Sequence, residues 1–93
     1  MKFVELIINV HNGEKYLTET IKSLIGQDYL SIRIHCFDNC STDKTKKIIK
    51  DFMLKHKNII YYKTPNFMSI VEGRLFAISS LKNKYKNDFY FGF

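Results

Sequence analysis

Apolar runs of strand length alternate with stretches of helical period along this chain, and that alternation limits the fold more than any single residue does. Residues 3–10 are almost continuously apolar apart from Glu5 and Asn9, the pattern of a parallel strand covered on both faces. Asn12-Gly13 then supplies turn chemistry with Asn12 as N-cap, and Leu17, Ile21, Leu24 and Ile25 recur at helical spacing up to Gly26. A second strand is expected over 32–37, where β-branched and aromatic residues are dense. The string Asp38-Asn39-Cys40-Ser41-Thr42-Asp43 reads as a loop closing on an N-cap, Ser41 or Thr42, with Asp43 in the positive first turn. Ile48, Ile49, Phe52 and Met53 form the inward stripe of the helix that follows. Residues 58–63 predict a third strand, Pro65 breaks the chain, and Ile70, Val71, Leu75, Ile78 and Leu81 mark a third helix. A polar connection over 82–87 leads into a fourth strand over 88–93.

The order βαβαβαβ with strands this apolar implies an α/β fold: a parallel sheet with right-handed crossovers and helices on both faces. At 93 residues the chain is expected to form a single, partial domain with a modest core. Ligands of such sheets bind beyond the carboxyl ends of the strands. Those ends carry residues 9–12, 38–39 and 64–67.

A formal net charge of +6 comes mostly from lysine, since Arg33 and Arg74 are the arginines. Lysine offers a point charge rather than a planar fork, which suits phosphate or an anionic surface and argues against reading nucleic-acid bases. No glycine-rich dinucleotide motif or phosphate-loop lysine follows the first strand, and no Ser, His and Asp set forms a hydrolytic triad by motif. His35 and Cys36 are adjacent on a strand and face opposite ways, so a metal site built from them with His11 and Cys40 is disfavoured. The N-terminal apolar run is too short, and too soon interrupted by charge, for a secretory signal or a membrane span. The expected setting is the cytoplasm, where Cys36 and Cys40 stay reduced.

Two strings carry a family resemblance. Leu6-Ile7-Ile8-Asn9-Val10-His11-Asn12-Gly13-Glu14-Lys15-Tyr16-Leu17, with Ile21, Ser23, Leu24 and Gln27 behind it, resembles the opening of family 2 glycosyltransferases of the GT-A fold. Asp38-Asn39-Cys40-Ser41-Thr42-Asp43 resembles the Asp-Asp-Gly-Ser-Thr-Asp loop of the same family. The resemblance covers the whole chain and implies the Rossmann-like, nucleotide-binding half of a GT-A fold. It also implies an enzyme that transfers sugar from a UDP- or dTDP-sugar to a glycan, lipid or protein acceptor.

The nucleotide-binding positions implied by the resemblance are Asn9, His11 and Asn12 of the first loop and Asp38 and Asn39 of the second. Arg74 joins them because Gly73-Arg74-Leu75-Phe76-Ala77-Ile78 resembles the family helix that carries Ala-Arg-Asn facing the nucleotide. The chemistry suits the residue types: a carboxylate or amide can pair with a pyrimidine N–H edge, and a flat ring can stack on the base. The sequence departs from the family at three of these places. His11 stands where Tyr is usual, Asn39 where many members have a second Asp, and Cys40 where Gly is usual. In the family an Asp-x-Asp motif holding Mn²⁺ or Mg²⁺ follows the fourth strand, and a catalytic Asp lies farther on. Neither falls within this chain, so no catalytic or metal-binding residue is assigned here and the fragment alone is expected to be inactive.

A rival from another class is a small non-catalytic α/β module that binds a partner through an exposed sheet edge or a lysine face. That face, Lys44, Lys46, Lys47, Lys50 and Lys57, also suits peripheral attraction to the anionic inner leaflet of a membrane. An aromatic fourth strand with uncovered edges implies self-association.

Overall fold

The computed structural model describes residues 4–26 and 31–92. Within them four strands, β1 (Val4–Val10), β2 (Ile32–Asp38), β3 (Ile59–Lys63) and β4 (Phe89–Phe91), form one sheet in the order β3-β2-β1-β4. All three pairings are parallel. Helices α1 (Leu17–Ile25), α2 (Thr45–Lys55) and α3 (Ile70–Leu81) supply the crossovers. The strand boundaries differ from the sequence expectation by a residue or two. Phe3, Gln27 and Phe93, which enter that expectation, lie outside the described residues.

Strand period explains which face each side chain serves. Ile8 and Val10 of β1 with Ile32, Ile34 and Cys36 of β2 point to one side and meet Leu17 and Ile21 of α1 and Ile49 of α2. Ile7 and Phe37 point to the other side and meet Ala77 and Leu81 of α3. Burying each such aliphatic side chain completely contributes about 1.5–3 kcal/mol, so these two clusters, one on each face of the sheet, supply most of the drive to fold. Phe37 also stacks on Tyr62 of β3, with ring centroids 4.3 Å apart and an interplanar angle of 6°. α3 leaves Ile70, Val71 and Leu75 exposed. No helix among the described residues is long and apolar enough to cross a membrane.

The caps of two helices differ from the sequence reading. Asn12 does not cap α1; the N-cap is Tyr16, without a side-chain cap bond. The first turn of α1 is closed by the Gly13 carbonyl, which accepts from the N–H groups of Tyr16 and Leu17. Asn12 itself sits in left-handed backbone at φ 50. Ser41 and Thr42 likewise do not cap α2, whose N-cap is Lys44. Asp43 does the nearest equivalent work, its Oδ1 accepting from the N–H of Thr45 at 2.9 Å and from Thr45 Oγ1 at 2.6 Å. Desolvation alone would raise the Asp43 carboxyl, but these bonds outweigh it and hold the group below its usual range. At α3 a capping box is formed by Ser69 and Glu72, and its Ser-x-x-Glu signature is present in the sequence.

Under the sheet, on the α3 side, lies a buried charged cluster. Glu5 is fully buried and accepts from Arg33 through two bonds of 2.9 and 2.7 Å, from His35 at 2.8 Å and from Asn87 at 2.7 Å. It ties β1, β2 and the connection after α3 together at the end of the sheet away from the loops described next.

Candidate functional site

The parallel register places Val10 beside Asp38, so the loops leaving β1 and β2 emerge side by side. They are joined reciprocally. Asn12 N–H donates to Ser41 Oγ at 2.8 Å, while Asn12 Oδ1 accepts from Thr42 N–H at 2.7 Å. Gly13 N–H donates to Thr45 Oγ1 at 2.8 Å and Glu14 N–H to Asp43 Oδ2 at 3.1 Å. Position 13 needs glycine for space: a Cβ there would lie 2.5 Å from Val10 Cγ2 and 2.9 Å from the Tyr16 ring. Two polar loops thereby become one rigid rim.

Behind this rim is a cavity of about 500 Å³ between the β1 and β2 ends, the loop after β3 and the start of α3. Of the six nominated residues, Asn9, His11, Asn39 and Arg74 line it. Tyr16, Thr64, Phe67, Met68 and Gly73 complete much of the wall. Residues 64–67 stand at a strand end and so were marked by topology alone; Tyr16 and Gly73 carry no sequence signal for this role beyond their place in the family strings. Asn12 and Asp38 do not line the cavity. Asn12 is held in the rim, and Asp38 is buried on the opposite side of β2.

Asp38 faces the α1 and α2 side because its position in β2 shares the orientation of Ile34 and Cys36. Its Oδ1 accepts from Ser41 N–H at 3.0 Å and its Oδ2 from the Tyr61 hydroxyl at 2.6 Å. Burial, followed by the bond to Asp38, pushes the Tyr61 phenol up, so it remains a donor across the physiological range. Asp38 therefore shapes the acidic loop from within.

Asn39 spends its amide on the opposite wall. Nδ2 donates to the Met68 carbonyl at 2.8 Å and Oδ1 accepts from the Met68 N–H at 2.9 Å. Its main-chain carbonyl accepts from His11 Nδ1 at 2.6 Å. A carbonyl can only accept, so Nδ1 carries a proton, while Asn12 Nδ2 lies 3.3 Å from Nε2. The His11 ring meets Phe67 edge to face, with centroids 4.9 Å apart. Flat aromatic surface thus stands at the mouth, available to a planar ligand.

Cys40 follows in left-handed backbone at φ 53, a conformation that glycine adopts without a Cβ penalty. Its thiol lies 3.7 Å from Thr64 Oγ1, a contact that helps hold the turn. Cys36 is a free thiol in the core, pushed up to about 12 by burial and so unreactive.

Arg74 is exposed on α3, its guanidinium 4.9 Å from the Phe91 ring centroid. It makes no ion pair among the described residues. Asn9 Nδ2 is buried and has no hydrogen-bond partner among the described residues. The described residues include no group of three or more His, Cys, Asp or Glu that could hold a metal ion.

Comparison with known proteins bears on the family and the fold. The family model of Glycosyl transferase family 2 matches residues 5–86. A curated relative from Methanococcus voltae, dolichyl N-acetyl-alpha-D-glucosaminyl phosphate 3-beta-D-2,3-diacetamido-2,3-dideoxy-beta-D-glucuronosyltransferase, is 41% identical over 66 residues. That match covers 67% of this chain but 21% of the relative. The crystal structure of residues 1–349 of Staphylococcus aureus TarS in complex with UDP-GlcNAc superposes with a TM-score of 0.74 at 26% identity. It covers 99% of this chain and 26% of that one. A mannosyltransferase from Pyrobaculum calidifontis, solved with GDP-Man and Mn²⁺, shares the fold at a TM-score of 0.74 and 17% identity. It covers 83% of this chain and 24% of that one.

Proposed function

The chain belongs to glycosyltransferase family 2, and from that premise we propose that it forms the nucleotide-recognising part of an enzyme that transfers sugar from a nucleoside-diphosphate sugar. UDP- or dTDP-sugar is the proposed donor, and a glycan, lipid or protein hydroxyl the proposed acceptor. The chain spans about a fifth to a third of the length of the first curated relatives it matches, so this activity is proposed for a whole enzyme of which these residues are one part.

The observation that carries the reading is the joined rim of the β1 and β2 loops and the single cavity behind it. His11 and Phe67 offer ring surface to a base, Asn9 lines the cavity wall, and Arg74 offers an exposed guanidinium to a diphosphate. Divided in this way, the chain's own residues bind and orient the donor. A divalent ion, when one is bound by a whole enzyme, would neutralise charge developing on the leaving diphosphate.

Isothermal calorimetry of the 93-residue chain with UDP and with dTDP tests the assignment. Saturable heats for at least one are expected, weak because base contacts act without a metal clamp. Null heats for both, from a protein that circular dichroism shows to be folded, would remove the site assignment.

A further inference from the structure

Along one side of α2, Lys46, Lys50 and Leu54 follow one another at four-residue steps and so form a row on the helix surface. All three are exposed, Leu54 at 76%. The ammonium groups of Lys46 and Lys50 stand 6.0 and 4.8 Å from the ring centroid of Tyr61 on β3, which is itself half-buried. Lys63 lies two residues beyond Tyr61 and shares its face of the strand, so the basic strip runs on to the end of β3. There it adjoins Thr64, which lines the cavity. The carboxylates nearby are engaged elsewhere. Asp38 accepts from Ser41 and Tyr61, Asp43 from Thr45 and Glu14, and Asp51 pairs with Lys47 at 2.9 Å.

Like charges one turn apart on a helix oppose its formation, so the folding of α2 gains nothing from setting Lys46 beside Lys50. Leu54, at its exposure, adds little to the core. Together the row matches a surface that carries negative charge on the outside and an apolar layer just beneath. An anionic bilayer has both. Its headgroups draw the lysine ammonium groups while the lysine stems lie along the interface, and its acyl chains take the leucine. Nucleic acid supplies the charge without the apolar layer, and lysine lacks the planar fork that reads base edges. We propose that this strip of α2 and β3 docks on an anionic lipid bilayer, with Leu54 entering the interface. The Lys63 end of the strip then holds the cavity edge close to the headgroups. What the cavity binds is a separate matter, and the docking does not depend on it.

Co-sedimentation of the 93-residue chain with vesicles tests this, using phosphatidylcholine alone and phosphatidylcholine mixed with phosphatidylglycerol. The chain is expected to sediment with the mixed vesicles, to stay in solution with the neutral ones, and to be released as salt is raised. A lysine near such a surface is worth about fivefold in partitioning, so Lys46→Gln with Lys50→Gln should bind about twentyfold more weakly. Lys82→Gln with Lys86→Gln removes the same charge from exposed positions after α3 and should weaken binding less than about threefold. Leu54→Gln should bind the mixed vesicles about threefold more weakly while eluting from heparin with the wild type, because heparin offers charge and no apolar layer. Circular dichroism establishes that each variant is folded. Equal losses in the two double variants, unchanged vesicle binding by Leu54→Gln, or binding of the wild type to polyuridylate with none to the mixed vesicles would each overturn the proposal.

Discussion

The side-chain amide of Asn39 and the main-chain amide of Met68 form a closed pair, Nδ2 to carbonyl at 2.8 Å and N–H to Oδ1 at 2.9 Å, that clamps the end of β2 to the loop before α3. An aspartate, the family's common residue at this place, can accept from Met68 N–H but cannot donate to its carbonyl. Asn39→Asp should therefore cost about 1–3 kcal/mol by setting a carboxylate against a carbonyl. Urea denaturation checks this, and Asn39→Gln, whose longer arm overshoots, should fail to restore the loss.

Asp38 makes a second structural prediction. Its oxygens are engaged inside the protein, so Asp38→Ala should read out first as lost stability, by about 2–4 kcal/mol, from stranding Tyr61 and the turn N–H of Ser41. Tyr61→Phe removes one of the two bonds and should cost about 1–2 kcal/mol. If thermal melts show Asp38→Ala unchanged while nucleotide affinity collapses, Asp38 contacts ligand after all.

The buried cluster around Glu5 sets an acid limit on folding. Burial pushes the Glu5 carboxyl up, but bonds from Arg33, His35 and Asn87 outweigh it and bring the group down from 4.5 to about 2. A depressed carboxyl contributes stability that is complete above 4.5 and is lost as pH falls from there through about 2. His35 works in the same direction: burial lowers its pKa despite the opposing bond to Glu5, so the folded state resists its protonation below about 6.5. Urea midpoints should hardly change from pH 8 to 7, begin to fall below about 6.5 and fall most steeply below about 4.5. His35→Gln should flatten the first part of the fall. Glu5→Gln should be destabilised at neutral pH, by about 3–5 kcal/mol, because Arg33 and His35 lose their anion.

How much of this was readable beforehand follows from the physics of each feature. The sheet and its helices were legible because apolar period is local and strong: the strand of Ile7 and Ile8 and the stripe of Ile48, Ile49 and Phe52 state their own structure. The meeting of the β1, β2 and β3 ends around one cavity was legible because parallel topology fixes which strand ends lie together. The direction in which Asp38 points was not, since one residue of phase in β2 decides between cavity and core. The caps were misplaced because Asn12 and Ser41 satisfy each other's loops across 29 positions rather than the helix that follows each. Long-range pairs of that kind, and the Glu5 bond to Asn87 across 82 positions, leave no periodic trace. The Ser69 capping box did leave one, three residues ahead of Glu72.

Arg74 should separate affinity from stability. Exposed and held by no ion pair among the described residues, Arg74→Ala should alter stability by no more than about 0.5 kcal/mol. UDP affinity should fall several-fold, and the difference between wild type and variant should shrink as salt is raised from 50 to 500 mM, in proportions of order the screening length. Uridine, which carries no phosphate, should bind both proteins alike.

The β1 and β2 loops and the α3 start are proposed to form one nucleotide-binding cavity. A ¹⁵N-correlated spectrum of the folded 93-residue chain titrated with UDP tests it most directly. Saturable shifts are expected at Asn9, His11, Asn39, Phe67, Met68 and Gly73, with Lys55, His56 and Leu54 at the far end of α2 unmoved. Shifts confined to the lysine face of α2, or none at saturating UDP, would contradict it.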